Sequence, residues 1–217
     1  MRLLRHAVSC RVAAIVAAGL VVGCLGRSPN VSLYTMNPIS ESLATSASDG
    51  LAIGVGPIRV PRYLDRPEWV TRPGGSTPQV VVDGSRRWAG GFSSNVLSVL
   101  GESLGAKLGT QRVIVYPAQS AFALDYRVAV DFHAFEGIGG EAVVLRANWL
   151  IRAGSGEAGP WSGHFAIRRP IAGGGSDALV GAHNEALDLL AEAIASRIES
   201  LEKARVSAGA EDHQAPD

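Results

Sequence analysis

Cysteine is nearly absent: the chain carries only Cys10 and Cys24. Two cysteines, one of them ahead of the apolar N-terminal run, support neither a disulfide framework nor a thiolate metal site. Lysine is scarcer than usual. Lys107 and Lys203 are the only two, and every other basic residue is arginine. Basic and acidic residues balance at 20 each, so the formal net charge is zero. That balance argues against a sequence-independent nucleic-acid binder, which needs a surplus of cations. The catalytic signatures are missing as well. There is no HExxH, no GxSxG elbow and no P-loop. Gly54-Val55-Gly56-Pro57 lacks the third glycine of a dinucleotide loop, and Pro57 is unsuited to the helix interior that would follow. No apolar run reaches the roughly 20 residues that span a bilayer.

Hydrophobic residues make up 47% of the 217 and mean hydropathy is +0.16, which excludes general disorder and suits one folded domain. The N-terminus is the most informative stretch. Arg2, Arg5 and Arg11 form a positive region, and an uncharged run from Val12 to Val22 follows. That run has the length of a signal-peptide core. It ends Val21-Val22-Gly23-Cys24, which resembles a bacterial lipobox. The resemblance implies cleavage before Cys24 and acylation of its thiol with diacylglycerol, a covalent modification in place of any cofactor. More than one acyl chain gives stable attachment, since each buried CH₂ contributes about 0.8 kcal/mol. Leu25 follows the cysteine where inner-membrane retention would call for Asp, so the expected site is the periplasmic face of the outer membrane.

The remaining organisation reads as follows: signal peptide 1–23, lipidated tether 24–50, folded domain 51–203 and a disordered tail 204–217. A short extended piece is expected near Val31 to Tyr34. Alternation predicts strands over Leu51–Val60, Val80–Val82, Arg112–Tyr116, Leu124–His133, Val143–Arg152 and Trp161–Ile167. Asp83-Gly84 reads as a turn, with Ser85 capping a helix whose stripe is Trp88, Phe92, Val96, Leu100, Leu104 and Leu108. Gly137, Gly139 and Gly140 read as the turn of a hairpin. A last helix follows Ser176 and Asp177, carrying Leu179, His183, Leu187, Leu190, Ile194, Ile198 and Leu201. The order predicts an α+β single domain: two main helices on a mostly antiparallel or mixed sheet.

Candidate chemistry is thin. His6 lies in the signal peptide and His213 in the tail. His133 and His164 fall on the polar phase of strands, and His183 on the apolar stripe of the last helix. No spacing suits a metal, so no metal site is expected. Asp125 and Asp131 are six residues apart along one strand, roughly 20 Å, too far for paired-carboxylate hydrolysis. The expectation is a protein that is not an enzyme.

The segment Ile58-Arg59-Val60-Pro61-Arg62-Tyr63-Leu64-Asp65-Arg66-Pro67 stands out, followed by Arg87-Trp88-Ala89, Tyr126-Arg127-Val128 and Leu145-Arg146-Ala147-Asn148-Trp149. Together with the lipobox, this order resembles the PqiC/YmbA family of ABC-type transport auxiliary lipoproteins, over residues 33–200. The resemblance implies an outer-membrane lipoprotein subunit that docks a periplasm-spanning MCE-domain protein, supports lipid transport and envelope integrity, and assembles as a homo-oligomer. It implies no nucleic-acid partner. Tyr63, Leu64, Asp65 and Arg66 then read in two ways. One is a turn in which Leu64 plugs the core and Asp65 pairs with an arginine. The other is an interface. The alternative functions are a structural envelope lipoprotein, or a solute-binding lipoprotein that would show a large cleft.

Overall fold

The computed structural model describes residues 30–39, 50–75, 77–118, 123–154 and 159–212. Among the described residues, eight strands and two helices follow one another: β1 (Ser32–Tyr34), β2 (Ile53–Arg59), β3 (Glu68–Arg72), β4 (Val81–Trp88), α1 (Phe92–Lys107), β5 (Val113–Val115), β6 (Tyr126–Ile138), β7 (Ala142–Ala153), β8 (Trp161–Pro170) and α2 (Gly175–Asp212). They build the α+β domain expected from the sequence, with both helices packed on a mixed sheet.

The organising element is β6. Along one edge it pairs antiparallel with β7, which pairs antiparallel with β8. Its other edge is shared. Tyr126–Asp131 runs parallel to β2, and Gly137–Ile138 runs parallel to the end of β3. β3 continues the sheet through β4 to the edge strand β1, while β2 carries β5. The meander β6–β7–β8 is the antiparallel part read from period-two alternation. The parallel pairs join segments distant in sequence, and no local pattern announces them.

The helix-facing residues Val128, Val130, Phe132, Val143, Leu145 and Ile151 are buried, as are Leu187, Leu190, Ile194 and Ile198 of α2. Aromatic rings gather at one end. Trp88 lies 5.2 Å from Trp69 and 5.8 Å from Phe92, and Phe92 lies 5.6 Å from Phe135. His183 sits among them, 5.0 Å from Phe135. Its Nδ1 is 2.8 Å from the Leu179 carbonyl, and burial pulls the imidazole down to about 4. Lys107 ties the two helices together through Asp188 and Glu192, at 3.1 and 3.0 Å. Burial alone would lower its pKa, but those hydrogen bonds prevail and raise it.

Several boundaries differ from the sequence reading. The helix expected from Ser85 begins at Phe92, because Gly90 and Gly91 hold φ of 76° and 91° and break the chain there. Val81 through Trp88 form one strand, so Asp83-Gly84 does not end it. Trp88 reaches the core from that strand, and its four-residue spacing to Phe92 is incidental. Gly137 belongs to β6 rather than to the hairpin turn. A Cβ on it would meet Leu179 Cδ1 at 2.8 Å. The extended piece in the tether is β1. It pairs with Arg86–Trp88, and the following Met36 is buried, so the folded domain takes in residues before 51. α2 continues past residue 203 to Asp212. Also unforeseen, Gly101 and Gly105 let α1 lie close on β5. A Cβ at Gly101 would meet Val115 Cγ2 at 2.7 Å.

Candidate interaction site

A β-bulge in β6 builds the outer face, opposite the helices. Phe132 pairs with Ala147, but Ala134 pairs with Arg146, so His133 is the extra residue. An added residue reverses which side each later side chain faces. Phe135 therefore joins the core and Glu136 turns outward. Glu136 is nevertheless only 3% exposed, because other elements cover it.

The cover is the segment singled out in the sequence. Tyr63 Oη donates to the Glu136 carboxylate, 3.1 Å from each oxygen. Arg72 donates to Glu136 Oε1 through Nη2 and Nε, at 3.0 and 3.2 Å. Its guanidinium also stands 5.9 Å from the centre of the Tyr63 ring. Burial first, then the Glu136 charge, raises the Tyr63 pKa. Leu64 is buried, as the turn reading required. Asp65 differs: it forms no ion pair among the described residues and lines a cleft instead. Arg66 pairs with Glu68 at 3.2 Å. Glu68 is held below the usual carboxylate range, first by a backbone hydrogen bond and then by its neighbouring arginines. The segment is thus a bolted turn. Cys24, the expected lipidation site, lies outside the described residues.

The cleft has a volume of about 1270 Å³. It opens between the start of α1, the ends of β2 and β5, and the outer face of β6–β8. Pro57, Leu97, Tyr116, Pro117 and Leu150 supply its apolar lining, and Arg59, Arg127, Arg152, Asp65 and Asp131 its charges. The volume exceeds the usual range for small-ligand sites, roughly 300–1,000 Å³. Beside it, Asn148 bridges His133 and His164, its Nδ2 2.9 Å from His133 Nε2 and its Oδ1 3.0 Å from His164 Nδ1. These histidines occupy the exposed polar face, and His183 the core, as their phases predicted. No group of three metal-ligating side chains occurs among the described residues. Nor, among those residues, is any helix long and apolar enough to cross a membrane.

Sequence reasoning missed Glu136, Arg72 and the juxtaposition of Arg127 with Arg152. The strand phases already put both arginines on the polar face, but only the register places them opposite each other.

A small α+β domain with two helices packed on a mixed sheet is a fold shared with solved proteins. One uncharacterized protein matches with a TM-score of 0.63 and 20% identity, over 78% of this chain and 99% of that one. Protein XCC0632 from Xanthomonas campestris matches with a TM-score of 0.58 and 18% identity, over 82% and 97%. No curated protein sequence matches. The family is defined by sequence: residues 34–195 match the ABC-type transport auxiliary lipoprotein component, and the chain belongs to that family.

Proposed function

We propose that this protein is the outer-membrane lipoprotein subunit of an MCE-type ABC lipid transport system, docking the periplasm-spanning MCE-domain protein. The observation that carries the reading is the family match across the folded domain, residues 34–195. In this reading Cys24 carries the diacylglycerol anchor and the domain faces the periplasm. It acts by binding rather than catalysis, as a homo-oligomer. The Tyr63–Arg66 turn contributes to the docking surface through its exposed rim, Asp65 and the Arg66 that pairs with Glu68.

The test is recovery from native membranes. The full chain, tagged at its C-terminus, is extracted in mild detergent and its partners are identified by mass spectrometry. An MCE-domain protein should co-purify, and the complex should band with outer membranes on a density gradient. Recovery of the lipoprotein alone, while a control envelope complex survives extraction, overturns the reading. Cys24→Ala should release the protein from the membrane fraction.

A further inference from the structure

The cleft holds an arrangement that protein stability does not explain. Arg127 of β6 and Arg152 of β7 are directly opposite each other on the outer face. Cβ atoms in such a pair lie about 5 Å apart, and like charges there are destabilising. Neither arginine has a hydrogen bond or ion pair to a protein group among the described residues. The nearest acid in sequence, Asp125, is committed to the Ala52 amide at 2.7 Å. Asp131 stands four residues along β6, roughly 13 Å away, and is flanked in register by Arg59 and Asn148. Asp65 lies at the Tyr63 turn. Both arginines are exposed. Gly54 faces Arg127 in the ladder, and a Cβ there would come within 3.7 Å of Arg127 Cγ and 3.0 Å of the Tyr116 ring, so the glycine leaves room between them.

Two unneutralised guanidinium groups beside Tyr116, Leu97 and Leu150 form a cation pair next to an apolar wall. Guanidinium groups bind phosphate in bidentate fashion, and a single phosphate can engage two of them. We infer that the cleft binds a phosphate-bearing amphiphile, its anionic head between Arg127 and Arg152 and its acyl chain along the apolar lining. A purely docking subunit needs no such site. The inference therefore goes beyond the proposed function and can fail or hold independently of it.

The test uses the full-length protein in living bacteria fed radioactive phosphate. A benzophenone amino acid replaces Ser162, exposed at the cleft, or Ala166, exposed on the same face of the same strand but outside it. Benzophenone attaches to C–H bonds, so free phosphate leaves no label. The diacylglycerol expected at Cys24 carries no phosphorus, so the anchor leaves none either. Light should transfer radioactivity at position 162 far more than at 166. With Arg127→Gln and Arg152→Gln together, that label should fall about tenfold, while the melting temperature holds or rises. Arg152→Gln alone should lower it in part, and Arg127→Lys with Arg152→Lys, which keeps the charge but loses the fork, should retain only part of it. Equal label at the two positions overturns the inference, as does label indifferent to the arginines. So does attachment at position 162 to a polypeptide, whether a second copy or another protein.

Discussion

The two faces of β6 are built to different ends. Toward the helices, every position from Tyr126 to Phe132 that points inward is buried, and the rings of Phe132 and Phe135 stack 5.7 Å apart. Toward the cleft, the same strand offers Arg127, Asp131 and His133 to solvent, and opposes one arginine to another across the ladder. The helix-covered face maximises burial. The cleft face leaves charge unsatisfied where a short substitution would relieve it. The difference is one of kind: among the described residues the core keeps the unpartnered Trp69 Nε1 and Ser103 Oγ, whereas the cleft keeps a like-charge opposition.

The contrast can be broken most severely from the inside. Phe135→Ala empties a fully buried site and should cost about 3–5 kcal/mol, read as a lowered urea midpoint with the slope unchanged. Next comes acid. His183 is neutral in the folded protein down to about pH 4, whereas it takes up a proton near its ordinary 6.5 when unfolded. Below 6.5 the unfolded state binds the extra proton, so stability falls as pH drops through that window, by about 3 kcal/mol at pH 4. His183→Phe should remove this part of the pH dependence in melts taken from pH 7 to pH 4. A wild-type curve no steeper than the variant's would show that the imidazole is not held neutral.

At the boundary between the faces, Tyr63→Phe removes a hydrogen bond to the buried Glu136 carboxylate and should cost about 1–3 kcal/mol. If partner recovery is unchanged both in that variant and in Arg66→Ala, while stability drops in the first, the turn is a structural bolt and its interface role is lost. The smallest effect belongs to the cleft. Arg152→Gln should stabilise by a few tenths of a kcal/mol, because it ends a like-charge opposition. A clear loss of stability there would mean that Arg152 supports the fold, and the contrast between the faces would weaken.

Much of this was legible in the sequence where periodicity is local. The β6–β7–β8 meander alternates from Tyr126 to Phe132 and again through β7 and β8, and the α2 stripe from Leu179 to Leu201 matches the buried side of that helix. The reading failed where a local pattern admitted two geometries. Trp88 and Phe92 are four apart, which fits one helix stripe, yet Gly90 and Gly91 separate a strand from a helix. The cleft was illegible for a sharper reason. Counting pairs outward from the Gly139–Gly140 turn sets Arg127 against Ala153, and only the bulge at His133 moves it to Arg152. No signal along the chain marks that extra residue. The parallel joins of β6 to β2 and β3 were hidden likewise, being made between segments far apart in the chain. The Tyr63 segment stood out by composition, but its partner Glu136 sits in a stretch that strict alternation would have turned inward.

The extra residue in β6 behaves like a change of reading frame written into the fold. Replacing His133 alters one exposed side chain. Straightening the strand at its present length would turn Phe135 toward water and Glu136 toward the helices. Deleting His133 instead joins Phe132 to Ala134, which already oppose the consecutive Ala147 and Arg146, and leaves every later side chain on its present face. Strand length and bulge are matched to each other here, and keeping one without the other is what exchanges the two faces.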